Sequence, residues 1–330
     1  MLTNNYLFFR TDRIGDFLVS AILINSIKRN DNNSLITVVA SKKNYFYIKT
    51  LDFIDEVHLY PENFLKKVIF FFKLFKKKYK LICTLDGKKR SIYFSLFLKS
   101  KFKVLMTTKY FFKNVLHNFF TQIHVFKDSK NKLNEIKSVL KLCNMSLNND
   151  DFYFLKKQKI YSKISKNISN YTLLHFDEKW IHEEYIRQYQ SIEPSQKEFE
   201  IFIDQLIEKT NQNLIITTGL TNNKILDNLK NKFQKINNNL YEIIRNKKKI
   251  YLYVKINFFD LKTLIKDCSS IITCHGAATH VANAFNKKIY DIFDNSQNEF
   301  YTKWNSHMSD YNFFHRENFK NLSNKILLKI

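Results

Sequence analysis

The segment Arg10-Thr11-Asp12-Arg13-Ile14-Gly15-Asp16 sets a carboxylate, Asp16, at the start of an apolar stretch with helical spacing. A carboxylate so placed can act as a general base toward a bound hydroxyl, and it can equally cap the helix and interact with its dipole. Asp12 is a second residue able to fill the capping role. Glycine supplies the other chemical pointers, because a chain of this length ordinarily carries roughly 23 and this one has four. Gly15 lies a few residues after the apolar run Tyr6 to Arg10, while Gly87, Gly219 and Gly276 end the runs LICTLDG, LIITTG and IITCHG. Glycine after a strand lets backbone approach a ligand closely, and the helix that follows offers unpaired N–H groups to phosphate. At Gly87 an eased βα turn is explanation enough; Gly15 and Gly276 are read as facing a ligand.

The elements that would position these residues follow from hydrophobic periodicity. Tyr6 to Arg10 reads as a strand, Gly15 to Lys28 as a helix and Leu35 to Ala40 as a strand, which together form a βαβ unit. A strand near Val57 to Tyr60, a helix near Phe64 to Lys78, and strands at Leu81 to Leu85 and Phe102 to Met106 continue the alternation. Lys156 to Asn170 is polar and aperiodic, as an interdomain connection would be, and Asp150-Asp151 is placed in the same polar linker region. Beyond it, Tyr171 to Phe176, Leu214 to Thr218, Ile250 to Val254, Ser270 to Cys274 and Lys288 to Ile292 read as strands. Gln196 to Lys209 and Phe258 to Lys266 read as helices between them. The expectation is an α/β chain of two domains with parallel sheets: residues 1–155, a linker at 156–170, and residues 171–330.

Composition narrows the class. With 45% hydrophobic residues and 16% aromatics the chain has ample material for buried cores. Cys83, Cys143, Cys268 and Cys274 have no close-paired spacing, which argues against a zinc site and a disulfide framework and fits a reducing compartment. The opening residues lack the basic start and apolar run of a signal peptide, and apolar stretches such as Val68 to Phe72 fall short of a spanning helix. A cytoplasmic location is therefore expected. The net charge of +24 suggests an anionic partner, although biased base composition would produce the same lysine and asparagine excess. In Phe64 to Lys80, FLKKVIFFFKLFKKKYK, seven lysines interleave with six aromatics. As a helix it could pack part of its apolar surface on a sheet while the lysines reach anionic lipid headgroups, or it could be a buried crossover helix with a solvated basic face.

The sequence resembles glycosyltransferase family 9, the lipopolysaccharide heptosyltransferase family. Its chains open with a hydrophobic strand, a segment like R-x-D-x-I-G-D and an apolar helix, which Tyr6 to Ile27 match. Ile271 to Phe285, IITCHGAATHVANAF, is similar to the family's second landmark, and His175-Phe176-Asp177-Glu178-Lys179-Trp180 to the segment that opens its C-terminal domain. The resemblance implies a GT-B architecture, two Rossmann-like domains whose parallel sheets face a central cleft. It implies that the N-terminal domain holds the acceptor, with Arg13 and Gly15, and that Asp16 takes the position of the base. It implies that the C-terminal domain holds a nucleotide-sugar donor. Lys179 would contact donor phosphate there, and Gly219, His275, Gly276, Ala277, Thr279 and His280 would line the donor site. No metal or other cofactor is implied, and no Asp-x-Asp follows a strand.

Two departures bear on specificity. His275 stands where the family's usual acid contacts donor-sugar hydroxyls, and Ala277 where its turn glycine stands. A histidine offers the sugar or phosphate different hydrogen bonding and charge. Leu220-Thr221-Asn222-Asn223 occupies a place where many relatives carry a ribose-binding glutamate, so the nucleotide base stays open.

The leading expectation is an inverting, metal-independent transferase that moves a sugar, with ADP-heptose a candidate donor, to a lipopolysaccharide-core or other glycan or glycolipid acceptor. Peripheral contact with the anionic inner face of the plasma membrane is expected with it. Two other classes stand beside it: a nucleotide-sugar epimerase, and a non-catalytic protein binding anions, nucleic acid or a membrane surface. No nucleic-acid motif is present, so no specific nucleic acid is expected.

Overall fold

Tyr6 to Phe9 of the first strand are wholly buried on both faces, the pattern that a central parallel strand requires. In the computed structural model, which describes residues 4–128, 131–156, 158, 168–181, 187–219 and 224–330, the chain forms two compact units. The first comprises Met1–Phe154 with Thr302–His307, the second Leu155–Tyr301 with Met308–Ile330. Most of the 156–170 segment lies outside the described residues, as does 220–223.

The N-terminal unit is built on a sheet of β1 (Asn5–Arg10), β2 (Leu35–Ala40), β3 (Glu56–Leu59), β4 (Tyr79–Thr84), β5 (Ser100–Thr107) and β6 (Gln122–Val125). Its order is β3-β2-β1-β4-β5-β6, and every pairing is parallel. This is the doubly wound nucleotide-fold order. The chain steps outward from β1 to β3, crosses back to β4 and steps outward again to β6. Right-handed crossovers therefore put the helices Phe64–Phe75, Lys89–Phe97 and Tyr110–Leu116 on one face of the sheet. Helix Ile14–Asn30, nearly all apolar in its middle turns, packs against Lys132–Leu142.

The C-terminal unit repeats the plan with β7 (Tyr171–His175), β8 (Asn213–Thr217), β9 (Gln234–Lys235), β10 (Leu240–Arg245), β11 (Lys248–Tyr253), β12 (Ser270–Cys274), β13 (Lys288–Phe293) and β14 (Tyr311–His315). The order is β14-β13-β12-β7-β8-β11-β10-β9. The six parallel strands thus follow the same doubly wound order, and β9-β10 is an antiparallel extension beyond β11. Asn246 and Lys247 join β10 to β11 with φ of 49° and 60°, the paired left-handed conformation of a two-residue hairpin turn. Ser195 caps the helix Gln196–Thr210 through Glu198, an S-x-x-E box readable in the sequence.

Three expectations are corrected. Asp150 and Asp151 are not in a linker but in a helical turn of the N-terminal unit. There the fully buried Asp151 carboxylate accepts from Arg29 Nε and Nη2, both at 2.9 Å. The helix beginning at Phe64 ends at Phe75, short of Lys78. Strands β6, β9, β10 and β14 were not foreseen: three lie at sheet edges and β10 belongs to the antiparallel extension, outside the repeated βα plan.

Candidate functional site

In an open α/β sheet the two strands between which the winding reverses leave a crevice beyond their carboxyl ends. For the N-terminal unit these are β1 and β4. The loops that follow them, with those after β2 and β3, line a pocket of about 780 Å³. Asp12 and Arg13 come from the β1 loop and Asp16 from the first turn of the helix Ile14–Asn30, Lys88 and Arg90 from the end of the β4 loop and the first turn of its helix, and Lys42 and Lys43 from the β2 loop. Gly15 is in the same first turn as Asp16, beside these residues.

Asp16 does take part in a cap: its Oδ2 accepts from the Arg13 backbone N–H at 3.3 Å. That bond occupies one oxygen and leaves the half-buried carboxylate lining the pocket. Arg10 fixes the turn from below. Its guanidinium is buried and donates to the Asp16 carbonyl from Nε at 3.1 Å and Nη2 at 2.8 Å, and to the Leu85 carbonyl from Nη1. It also pairs with Asp12 at 3.4 Å and lies over the Trp304 ring. The β4 loop is tied to the β1 loop by Asp86, whose Oδ2 accepts from Thr11 Oγ1 at 2.6 Å and Ser91 Oγ at 2.8 Å. Gly87, with φ of 58°, turns this loop; a β-carbon there would meet the Met106 carbonyl at 3.0 Å. Three carboxylates thus converge, and burial pushes the Asp12 carboxyl above its ordinary range, aided by Asp16 and Asp86 and opposed by Arg10. Basic side chains from the loops and from Lys67 outnumber Asp12, Asp16 and Glu62 around the pocket, so it favours an anionic ligand.

For the C-terminal unit the winding reverses between β7 and β12. Lys179 sits in the helical turn after β7 and Gly276 in the turn after β12, and the two turns meet. A β-carbon on Gly276 would lie 2.6 Å from Lys179 Nζ. Lys179 Nζ donates to Asp177 Oδ2 at 2.7 Å. Burial alone would discharge this lysine, but the Asp177 carboxylate outweighs it and holds the ammonium protonated. Burial likewise opposes the Asp177 charge, and Lys179 and His175 keep that carboxyl below its ordinary range. Gly219, after β8, comes up against Glu178, whose Oε2 fills the place a β-carbon would need.

The helix Ala277–Ala284 starts at this junction. Thr279 is fully buried, and its hydroxyl accepts from Gly276 N at 3.2 Å and donates to Asp291 Oδ1 at 3.0 Å. The Gly276 N–H is therefore engaged within the turn, and the first-turn N–H groups from Ala277 onward are those that helix geometry leaves unpaired. His275 Nδ1 pairs with Asp291 Oδ2 at 2.6 Å, and Tyr311 donates to the same oxygen at 2.8 Å. The Tyr301 ring lies 3.9 Å from the His275 ring and the His280 ring 5.2 Å from it. Structure thus gathers Lys179, His275, Gly276, Ala277, Thr279 and His280 at one sheet edge, with Gly219 at the neighbouring strand end.

Sequence reading missed Asp86, Lys88 and Arg90, although all three follow a strand directly. It missed Asp291, a carboxylate inside the apolar run IYDIF, which is itself a signal because a charge is buried only with partners. It also missed Arg316, which donates to the Lys179 carbonyl at 2.9 Å and the Gln190 carbonyl at 2.7 Å and so holds the Lys179 turn. No local pattern announced that residue.

No protein-family model and no curated protein matches the sequence. Solved structures do match its fold. A family 9 glycosyltransferase from Veillonella parvula is 10% identical, with a TM-score of 0.66, over 99% of this chain and 89% of that one. The fold is that of family 9 glycosyltransferases. Heptosyltransferase WaaC of E. coli, solved with ADP-2-deoxy-2-fluoro heptose, shares this GT-B fold at 9% identity and a TM-score of 0.63, over 98% of this chain and 99% of that one. The GT-B fold also extends to a UDP-GlcNAc 2-epimerase from Methanocaldococcus jannaschii, at 10% identity and a TM-score of 0.53, over 100% of this chain and 92% of that one.

Proposed function

We propose that the chain is a glycosyltransferase of the family 9, heptosyltransferase-like type. Its C-terminal unit binds a nucleotide-sugar donor, and the anion-favouring pocket of its N-terminal unit binds a glycan or glycolipid acceptor. The observation that carries this reading is the Lys179–Gly276 junction: a protonated ammonium, a close-approach glycine and a helix start meet at the reversal point of a doubly wound sheet. Those are the groups a departing diphosphate needs. WaaC, solved with ADP and with an ADP-heptose analogue, makes an ADP-linked sugar the first donor to try.

In this scheme Asp16 accepts the proton of the acceptor hydroxyl as that oxygen attacks the anomeric carbon. The sugar–phosphate bond breaks on the opposite face, which inverts the anomeric configuration. Lys179 and the Ala277 turn receive the negative charge of the leaving nucleoside diphosphate. With that cation supplied by the protein, activity should survive exhaustive chelation, and rescue by manganese alone would count against the scheme.

A thermal-shift screen against nucleoside diphosphates and nucleotide sugars tests the reading, since a ligand that binds only the folded chain raises its melting temperature. A selective shift that Lys179→Ala abolishes is the expected result. No shift with any nucleotide would overturn the donor site. The epimerase reading, favoured by the shared fold, is separated by incubating donor alone: a change of sugar configuration without acceptor would support it.

A further inference from the structure

The helix Phe64–Phe75 is apolar on two faces. Phe70 and Leu74 are buried against the sheet and against Phe94, but Phe64, Leu65 and Ile69 are 75%, 75% and 70% exposed, with Val68 and Phe72 beside them. At 100° per residue these five side chains fall in one stripe, turned away from the buried one. An isolated exposed leucine needs no explanation; a stripe along three helical turns does.

The stripe continues onto the neighbouring helices. Phe71 packs against Phe94 and Phe97 of Lys89–Phe97, and that helix meets Tyr110–Leu116 through Ile92, Leu96, Phe112 and Leu116. Each neighbour adds exposed aromatics, Tyr93 and Phe97 on one and Tyr110 and Phe111 on the other. The three crossovers run the same way over the sheet, so the whole row lies on one side of the N-terminal unit. Charge on this row is mostly basic: from Phe64 to Asp128 the acidic residues are Asp86, which is folded into the β4 loop, and Asp128, which pairs with Lys113 at the end of the row.

We propose that this three-helix face is a docking surface for a bilayer bearing anionic headgroups. The exposed aromatic and aliphatic side chains enter the interface, while Lys66, Lys73 and Lys76 along the edge of the stripe reach phosphate. Among the described residues no helix is long and apolar enough to cross a membrane, so the helix lies in the plane of the surface. Charge complementarity selects the lipid, and the apolar stripe distinguishes it from nucleic acid, which would need stacking platforms in a groove rather than aliphatic side chains on a convex helix. Docking stands apart from the transfer reading. Where both hold, Lys67, on the same helix and lining the Asp16 pocket, brings a lipid-linked acceptor to the base.

The test is co-sedimentation of the full chain with vesicles of pure phosphatidylcholine and of phosphatidylcholine and phosphatidylglycerol in equal parts. No activity assay is involved, so failure of the transfer reading leaves the result interpretable. Binding to the mixed vesicles is expected to be at least about tenfold tighter than to the neutral ones. Ile69→Ser/Phe72→Ser should weaken binding to the mixed vesicles at least about tenfold at unchanged melting temperature, because both side chains are exposed. Lys66→Glu/Lys73→Glu should remove the preference for the anionic lipid. Undiminished vesicle binding by the Ile69/Phe72 variant would overturn the proposal. So would capture by an RNA homopolymer with no vesicle binding, or a dimer that this variant dissociates with no vesicle binding.

Discussion

Lys179 Nζ occupies the space that a β-carbon on Gly276 would enter, 2.6 Å away, so the ammonium can rest across the end of β12 only while residue 276 has no side chain. Gly276→Ala should therefore leave the fold intact, since the far end of a flexible lysine is what must yield. It should also push the ammonium off its Asp177 partner. The expected outcome is a melting temperature within a few degrees of wild type and nucleotide affinity lower by roughly tenfold or more, measured by calorimetric titration.

Asp16→Asn keeps an amide oxygen that can accept from Arg13 N, so the helix cap should survive at a cost of a few tenths of a kcal/mol. Turnover should fall by roughly 10²–10⁴ if Asp16 is the base. Asp12→Asn is the control, removing the pair with Arg10 without touching that role. Steady-state kinetics on both variants decide the assignment, and near-normal turnover in a folded Asp16→Asn would move the base elsewhere.

Arg10→Ala strips the buried Leu85 carbonyl of its donor, removes two bonds to the Asp16 carbonyl and leaves Asp12 without its pair. A loss of about 2–4 kcal/mol is expected in urea unfolding. Arg10→Lys should recover part of that stability but little of the activity, because a lysine cannot reproduce the planar fork that fixes the Asp16 turn.

Acid should destabilise the chain through its buried histidines. Burial pushes His175 and His307 down to about 4, from an ordinary value of 6.5. Between those values the unfolded chain takes up protons that the folded chain refuses. The neutral histidines' contribution is thus complete above 6.5 and is lost as pH falls toward 4. Each histidine should remove about 1.4 kcal/mol per pH unit in that window. Melting temperature measured from neutral to acidic pH should fall accordingly, with a shallower slope for His175→Gln.

Gly87→Ala should cost about 1–2 kcal/mol, since φ of 58° strains a side-chain-bearing residue and the obstructing atom is a backbone carbonyl that cannot swing aside. Thermal unfolding of the variant checks this.

Local chemistry was enough to read much of this protein from its sequence. Alternation of apolar runs with helical periods exposed the repeated βα plan, and the rarity of glycine marked strand ends, because those signals depend only on near neighbours along the chain. The likeness of Tyr6 to Ile27, His175 to Trp180 and Ile271 to Phe285 to family 9 pointed to the GT-B fold that is observed. Tertiary structure alone decided which strand ends meet. Parallel pairing puts β12 beside β7, nearly a hundred residues apart, and so brings Gly276 to Lys179. Side-chain packing also draws Thr302–His307 into the N-terminal unit, where Trp304 lies under Arg10 and Lys132. Asp291, Arg316 and Asp86 likewise gained their roles from residues brought near by folding: His275 and Thr279 for the first, the Lys179 and Gln190 carbonyls for the second, and Thr11 for the third. The apolar content of Phe64 to Phe75 was visible in the sequence, but which half of it faces solvent was not, because burial depends on what the sheet leaves uncovered.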